Sequence, residues 1–272
     1  MNNLITRTVS GIIIVLIVIG SLILAEYSFL GLILVIYSLG LYEFKTMFRL
    51  KSQSVFYIFL VIGQADMIFY YLYLAGRASF DLFLSSVNAT PLIIISLFLF
   101  LRQAKTSDLV HYLTALIWLA GSLVFFMSLG WKSETGGYSA RYPMILIVMI
   151  WIYDVGAYFF GSLAGKKPLS PEISPGKSLE GFISGILITM AAGYGIFKIS
   201  GDLSGLTWIL IGLIISLSST AGDLFESKLK RVAGVKDSGQ LIPGHGGILD
   251  RFDSMLVAAP AFYITIQVIH SL

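Results

Sequence analysis

The chain contains no cysteine and carries little charge. Of its 272 residues, 57% are hydrophobic and only 12% are charged, and the mean hydropathy is +0.87. Because an average soluble domain carries about 25% charged residues, the composition predicts a polytopic membrane protein. The absence of cysteine excludes disulfides, thiolate metal sites and cysteine nucleophiles. The net charge is only +3, and no nucleic-acid partner is expected.

Apolar segments long enough to cross about 30 Å of hydrocarbon are spread along the whole chain. Nine such segments lie near residues 9–25, 28–48, 54–75, 81–101, 110–130, 142–162, 179–199, 205–223 and 252–271. Lipid offers no partner to unpaired backbone groups, so we expect these segments to be helices. The sequence therefore predicts an all-α polytopic membrane protein with about nine transmembrane helices. The first segment is expected to be a retained span and not a cleaved signal peptide.

Lysine and arginine are distributed unevenly between the two sides of these spans. With nine spans, 14 of the 18 basic residues fall on the N-terminal side, and four, Arg77, Lys132, Arg141 and Lys198, fall on the other. Cytoplasmic loops are enriched in lysine and arginine. The distribution predicts a cytoplasmic N-terminus, a C-terminus outside, and cytoplasmic positions for the two polar loops, 163–178 and 224–251.

The chain also divides by its chemistry. Residues 1–140, with spans one to five, contain few intramembrane charges, and we expect them to form a scaffold. Residues 141–272 contain spans six to nine and both polar loops. They carry nearly all the charged residues with a plausible site role, and we expect them to be the catalytic membrane region.

Three polar residues are spaced at helical intervals where span eight ends. Asp223, Ser227 and Lys230 stand at i, i+4 and i+7, so they share one face if the helix continues. A carboxylate, a hydroxyl and a base on one face suit a phosphate-bound divalent metal. The alternative is a charged helix end whose long side chains reach the membrane interface.

A glycine-rich segment follows in the same loop. Gly244, Gly246 and Gly247 lie within four residues, and such backbone can approach a ligand closely and present N–H groups to an anion. The alternative is an ordinary glycine-rich turn. For His245 three roles remain open: binding phosphate, transferring a proton, or capping the next helix.

Two carboxylates stand at the start of span nine. Asp250 and Asp253 are spaced i, i+3, with Arg251 between them. Two carboxylates at a membrane face are unfavourable unless a cation compensates them, and a metal ion is the simplest compensator. The alternative is that these acids complement the dipole of the helix N-terminus.

The other polar segment begins inside span six. Asp154 is an intramembrane acid and therefore a candidate site residue. Lys177 and Ser178 precede span seven and could contact phosphate there, although Ser178 could equally cap the helix. Asp154 and the Lys177 segment are expected to form a second wall of the site.

Other residues are assigned structural roles or none. Glu43 lies near a membrane interface and needs no special role. The glycine pairs Gly161/Gly165 and Gly181/Gly185 are spaced for close contact between helices.

Taken together, the polar residues from 227 to 253 resemble the signature of a known family. The pattern comprises Ser227-x-x-Lys230-Arg231, Lys236-Asp237-Ser238-Gly239 and Ile242-Pro243-Gly244-His245-Gly246-Gly247-Ile248-x-Asp250-Arg251-Phe252-Asp253. It looks like the signature of the phosphatidate cytidylyltransferases, also called CDP-diacylglycerol synthases. Asp154-x-x-Ala157-Tyr158 and the segment 174–181 are also similar to the family. The resemblance extends from span six to the C-terminus, and the first 140 residues match only in hydropathy.

The resemblance implies transfer of the cytidylyl group of CTP to phosphatidic acid, giving CDP-diacylglycerol and pyrophosphate for phospholipid synthesis. It implies a multi-pass protein of the inner (plasma) membrane and a homodimer in the lipid bilayer, for which residues 1–140 are a candidate contact. The distribution of basic residues predicts that the active site faces the cytoplasm. With a triphosphate as substrate, the carboxylates predict Mg²⁺ as cofactor, and the presence of a second cation remains open. Two alternatives are a CTP-dependent membrane lipid kinase of the polyprenol type and an ion-coupled transporter.

Read against this reaction, the polar residues fall into three groups. The expected catalytic residues are Asp223, Asp250, Asp253, Lys230 and His245. The residues expected to bind substrate are Ser227, Arg231, Lys236, Asp237, Gly246, Gly247, Arg251, Lys177 and Ser178. The expected metal ligands are Asp223, Asp250 and Asp154.

Overall fold

The structure, a computed structural model, describes residues 3–100, 105–131 and 137–271, and it is predominantly helical there. The helices are α1 (Asn3–Leu24), α2 (Glu26–Met47), α3 (Gln53–Leu74), α4 (Phe80–Phe100), α5 (Thr106–Ala115), α6 (Ser122–Ser128), α7 (Arg141–Ala164), α8 (Leu179–Ser200), α9 (Gly205–Val232) and α10 (Leu249–Ser271). A π-helical segment, Leu116–Gly121, joins α5 to α6. Arg102 and Lys132, two of the basic residues used to predict orientation, lie outside the described residues.

The described helices confirm the prediction of an all-α polytopic membrane protein. Within the described ranges, eight helical segments are long and apolar enough to cross a membrane. The predicted fifth span is one of them, because the π-helical segment makes Thr106–Ser128 continuous. The predicted fourth span corresponds to α4, in which Phe80–Ser96 is a shorter apolar helix. The orientation of the termini stays a prediction.

The largest difference from the predicted span boundaries is at the end of α9. Hydropathy places the end of this span near residue 223, where charged residues begin, but the helix continues to Val232. Leucine, glutamate, lysine and arginine are all good helix formers, and Lys230 and Arg231 in the last turn complement the helix dipole. The polar loop before α10 is therefore shorter than the predicted 224–251.

A small β-hairpin replaces part of the loop predicted before α8. Strand β1 (Pro168–Ser170) pairs antiparallel with β2 (Ser174–Ser178). An isolated two-stranded hairpin is marginally stable in water, and this one is tied to α8. The carboxylate of Glu180 accepts hydrogen bonds from the backbone N–H groups of Lys166 at 3.0 Å and Lys167 at 3.2 Å.

The chain forms two compact units, which we describe separately. The first unit comprises Met1–Arg141 and Asp237–Leu249, and the second comprises Tyr142–Lys236 and Asp250–Leu272. The assignment of catalysis to residues 141–272 stays a prediction.

Aromatic side chains fill the core of the first unit. The rings of Phe29 and Phe126 meet edge to face, with centroids 5.2 Å apart and planes 81° apart, which is a favourable geometry for aromatic pairs. The buried Tyr37 hydroxyl donates a hydrogen bond to the carbonyl of Phe59 at 2.7 Å. Gly63 leaves room for this tyrosine, since a Cβ there would overlap the Tyr37 ring.

Glycines let the helices of the second unit pack closely. A Cβ added to Gly161 of α7 would lie 3.4 Å from Cα of Gly181 in α8, so the predicted close contact between these helices is confirmed. A Cβ at Gly212 of α9 would lie 2.6 Å from the carbonyl oxygen of Thr189 in α8. Such approaches require that no side chain stands between the backbones.

Candidate functional site

The continuation of α9 sets three of the predicted residues on one helical face in the second unit. Asp223, Ser227 and Lys230 all lie within Gly205–Val232, so their spacing places them on successive turns. The Ser227 hydroxyl donates to Oδ1 of Asp223 at 3.3 Å. This face therefore presents a carboxylate, a hydroxyl and an ammonium group in order along the helix.

Lys177 from the β-hairpin meets this face at its acidic end. Its ammonium forms an ion pair and hydrogen bond with Oδ2 of Asp223. The two side chains are 31% and 30% exposed, so the pair is accessible to a ligand. The hairpin thus places the Lys177 ammonium beside Asp223, which lies 46 residues later in the chain.

Two further carboxylates lie close enough to interact with Asp223. The charges of Asp154 in α7, Asp223 in α9 and Asp253 in α10 repel one another. The positive charge of Lys177 attracts Asp154 and Asp253, and Arg251 attracts Asp154. Acids from three helices and two basic residues therefore form one cluster, which we call the acid cluster.

A second, more buried set of charges lies at the other end of the α9 face. The Lys230 ammonium donates to Oδ1 of Asp250 at 2.6 Å and also forms an ion pair with Glu226. The side chains of Lys230 and Asp250 are 12% and 10% exposed, and that of Glu226 is 0% exposed. Lys230 therefore compensates two acids, one in α10 and one in its own helix.

Glu226 was not among the predicted site residues. Its position four residues before Lys230 is the spacing of an intrahelical ion pair, and this spacing was a signal that could have identified it. The full burial of the carboxylate could not have been read from spacing alone.

The donor chemistry of the acid cluster is compatible with the predicted magnesium ion. Carboxylate oxygens are the ligands that Mg²⁺ prefers, and Asp154 and Asp223 belong to the cluster. In the described part of the chain, however, no group of three or more histidines and acids has the arrangement of a metal site. Asp223 and Asp250 are each paired with a lysine. Metal binding stays a prediction.

The predicted glycine-rich segment forms a tight turn in the first unit. The N–H of Ile242 donates to the carbonyl of Gly246 at 3.0 Å, and the N–H of His245 donates to the carbonyl of Ile242 at 3.0 Å. Gly244 and Gly246 have φ angles of 77° and 84°, a region that glycine enters without steric cost. The turn therefore needs glycine at these two positions.

Helix α1 forms hydrogen bonds with residues 243–245 of this turn. The Arg7 guanidinium donates through Nε to the carbonyl of Gly244 at 2.9 Å, and the Ser10 hydroxyl lies 2.8 Å from Nδ1 of His245. Ser10 also donates to the carbonyl of Pro243 at 2.9 Å. Sequence reasoning missed Arg7 and Ser10 as partners of the turn, because no local pattern links residues so far apart.

A buried carboxylate of α2 contacts both ends of the segment 238–249. Glu43, which is 2% exposed, accepts hydrogen bonds from the Ser238 hydroxyl and from the backbone N–H groups of Ile248 and Leu249. The sequence assigned Glu43 no role, so this contact was missed.

Two of the remaining predicted residues form hydrogen bonds with residues close to them in the sequence. The Ser178 hydroxyl accepts a hydrogen bond from the N–H of Gly181 at 3.1 Å, so it caps α8. Arg231 donates to the carbonyl of Val235 at 3.4 Å. Lys236 and Asp237 are exposed where the loop begins. A role for these residues in binding substrate stays a prediction.

Comparison with known proteins covers nearly the whole chain. A sequence model of the cytidylyltransferase family matches residues 5–269. Phosphatidate cytidylyltransferase of Bacillus subtilis strain 168 is 33% identical over 268 residues, which cover 94% of this chain and 95% of that protein. Phosphatidate cytidylyltransferases of Staphylococcus aureus strain COL and of Staphylococcus epidermidis are each 44% identical over 133 residues. Those two matches cover 48% of this chain and about half, 51%, of the length of the staphylococcal proteins. The extent of the first two matches shows that the chain belongs to the cytidylyltransferase family.

Proposed function

We propose that this protein transfers the cytidylyl group of CTP to phosphatidic acid, giving CDP-diacylglycerol and pyrophosphate for phospholipid synthesis. The relative that matches 94% of the chain is named as a phosphatidate cytidylyltransferase. The observation that carries the proposal is the acid cluster around Asp223 and Lys177. Its carboxylates suit a phosphate-bound divalent cation, and its basic residues suit the phosphates themselves.

The reaction is a displacement at phosphorus. A phosphate oxygen of phosphatidic acid attacks the α-phosphorus of CTP, a new P–O bond forms, and the bond from the α-phosphorus to the oxygen bridging to the β-phosphate breaks. The bonding electrons leave with pyrophosphate. Catalysis of such a transfer consists mainly of positioning and charge neutralisation, and it needs no covalent nucleophile from the protein.

Basic residues of the second unit supply the positive charge. Lys177 and Lys230 are now paired with carboxylates, and each can exchange that partner for a phosphate oxygen when substrate enters. Arg251, which is exposed beside the acid cluster, is the third cation. Arginine suits phosphate because its planar guanidinium can donate two parallel hydrogen bonds.

The carboxylates are assigned to the metal. Asp223 and Asp154 of the acid cluster, with Asp250 from the second set of charges, are the residues that would hold Mg²⁺, and Asp253 is a further carboxylate of the acid cluster. When bound, the ion neutralises triphosphate charge and polarises the α-phosphoryl group. The mutual repulsion of Asp154, Asp223 and Asp253 would be relieved by a cation at this position.

The glycine-rich turn is assigned to phosphate binding. Positive φ angles at Gly244 and Gly246 are typical of backbone that presents N–H groups to anions. Ser10 lies within hydrogen-bonding distance of Nδ1 of His245, which restrains the orientation of the imidazole ring. We assign His245 the role of contacting phosphate.

We further propose an active site on the cytoplasmic side of the plasma membrane and a homodimeric assembly. The charge distribution of the loops supports the first, since CTP is a cytoplasmic nucleotide. The family resemblance supports the second.

An isotope experiment separates this reaction from the alternatives. Purified protein is incubated with phosphatidic acid, Mg²⁺ and CTP labelled on either the α- or the γ-phosphate. We expect the α label, and not the γ label, to enter the lipid product. Transfer of the γ label would indicate a lipid kinase, and the absence of any lipid labelling would contradict both enzyme assignments.

The same assay tests whether Lys177 of the acid cluster contributes to catalysis. Lys177→Met leaves Asp223 and its neighbouring acids without this counter-charge, and we expect kcat/KM to fall about 100-fold, the size typical for loss of one positioned electrostatic contact. Lys166→Met, in the same loop, is the matched control because the Lys166 side chain is exposed. Equal activities of the two variants would remove Lys177 from the site.

A further inference from the structure

Glu43 is a buried acid whose carboxylate accepts hydrogen bonds from residues of the glycine-rich loop. It lies near the end of α2 and is 2% exposed. Burying a carboxylate is costly unless hydrogen bonds compensate the lost water. The identity of its partners therefore indicates what this carboxylate does.

Both oxygens of Glu43 accept hydrogen bonds from the loop. Oε1 accepts from the N–H of Ile248 at 2.8 Å, while Oε2 accepts from the N–H of Leu249 at 2.9 Å and from the Ser238 hydroxyl at 3.1 Å. Ser238 stands at the start of the loop and the other two residues at its end. One carboxylate thus joins the two ends of a segment of about a dozen residues, close to the size of a compact Ω-loop.

The loop also packs against the Glu43 side chain at two glycines. A Cβ added at Gly239 would lie 2.6 Å from Oε1 of Glu43, and one at Gly247 would lie 2.5 Å from Oε2. Any larger residue would therefore push the carboxylate away from its donors. These two glycines are needed for close approach to Glu43, whereas Gly244 and Gly246 are needed for the turn itself.

The bonds to Ile248 and Leu249 have a second effect. Leu249 is the first residue of α10, and the N–H groups of a first helical turn have no partner within the helix. A carboxylate there is favoured by the helix dipole and gives charge-assisted hydrogen bonds, which are stronger than neutral ones. Leu249 directly precedes Asp250 in the chain, so Glu43 also restrains the residue before a predicted metal ligand.

We infer that Glu43 is a positioning residue that holds the loop 238–249 in the conformation that binds the nucleotide phosphates. This inference rests on the proposed function, because it assigns the loop to CTP. Glu43 acts through Ser238, Gly247 and the two backbone donors, and it does not itself touch substrate.

The substitution Glu43→Gln tests the inference with little change of shape. An amide has only one acceptor oxygen, so its NH₂ group must face the N–H of Ile248 or of Leu249. Glu26→Gln is the matched control, since it makes the same change on the same helix and in the same unit. Glu26 accepts from Arg77 and Tyr71 and has no place in the loop.

Two measurements are made on the full-length protein in detergent micelles. Hydrogen exchange follows the peptide that contains residues 238–249, and steady-state kinetics give KM for CTP and for phosphatidic acid separately. In E43Q we expect exchange in this peptide to become faster and KM for CTP to rise about tenfold, the factor for loss of one charge-assisted hydrogen bond. KM for phosphatidic acid should change less than twofold. E26Q should have the wild-type exchange rate and the wild-type KM for both substrates.

A second variant keeps the test decisive if E43Q does not fold. Ser238→Ala removes only one of the three donors, and we expect a smaller rise in KM for CTP, about threefold, with faster exchange in the same peptide. Exchange of this peptide at the wild-type rate in either variant would overturn the inference. So would a fall in kcat and in thermal stability with both KM values unchanged, because that pattern indicates a role in folding alone.

Failure of the inference can be told apart from failure of the proposed function. If the wild-type protein transfers no α label, the proposed function fails, yet hydrogen exchange still reports whether Glu43 holds the loop. If the wild-type protein is active and E43Q has wild-type exchange and kinetics, only the inference fails.

Discussion

A charge that is buried in a membrane protein needs a partner within a few ångströms, and Glu226 illustrates the rule. Its side chain is 0% exposed, and the ammonium of Lys230 is its ion-pair partner. The same ammonium also binds Asp250 at 2.6 Å. Lys230 therefore stabilises two acids at once, and its removal is expected to cost more than the loss of a surface ion pair.

We predict that Lys230→Met lowers the free energy of unfolding by about 3–5 kcal/mol, because it leaves buried carboxylates uncompensated. Thermal unfolding in detergent, followed by tryptophan fluorescence, measures the change. Lys228→Met is the matched control on the same helix, and its effect should stay within about 0.5 kcal/mol because Lys228 is exposed.

A double variant identifies the source of this cost. If an uncompensated Glu226 causes the instability, Lys230→Met combined with Glu226→Met should be more stable than Lys230→Met alone. Equal stability of the single and double variants would instead attribute the cost to Asp250 or to the packing of the lysine chain.

At the scale of helices, the approach of α8 to α9 depends on glycine. A Cβ at Gly212 would lie 2.6 Å from the Thr189 carbonyl oxygen and 2.9 Å from Cα of Met190. These neighbours are backbone atoms, which cannot turn aside as the end of a side chain can. One methyl group here must therefore move one helix relative to the other.

We predict that Gly212→Ala destabilises the protein by about 1–3 kcal/mol through overpacking. Gly195→Ala on α8 is the control, because no atom lies within 4 Å of a Cβ at that position. Since alanine favours helix over glycine by up to about 1 kcal/mol, the control should be neutral or stabilising. A similar melting temperature for both variants would contradict the importance of this contact.

The boundaries of the helices were predictable to different degrees. Hydropathy placed most span ends within a few residues, because a change from apolar to polar sequence marks the membrane interface. It failed at α9, which extends to Val232, because a helix leaving the membrane can continue in water when its residues are good helix formers. It also did not reveal the hairpin of β1 and β2, whose anchor is the Glu180 carboxylate.

At the scale of the whole molecule, orientation in the membrane remains to be tested. The absence of cysteine makes the natural chain a ready background for single-cysteine labelling. We predict that Lys166→Cys is protected from a membrane-impermeant maleimide in intact cells and becomes labelled after permeabilisation. Ser79→Cys, between α3 and α4, should be labelled in intact cells.

The two sites serve as controls for each other. Both lie in exposed positions, so a difference between them reports on the membrane and not on local burial. Labelling of Lys166→Cys but not of Ser79→Cys in intact cells would reverse the orientation and would remove the proposed cytoplasmic site.

By itself, the sequence determined the class of protein, the approximate positions of most spans and the helical spacing of Asp223, Ser227 and Lys230, while the structure showed that α9 continues through all three. These features depend on composition and on short-range spacing, and helical geometry converts spacing directly into position. Only the tertiary structure decided which side chains meet across long separations. Lys177 reaches an acid 46 residues away, and Glu43 reaches a backbone N–H 206 residues away. No local period encodes such contacts, because they exist only once the helices have packed.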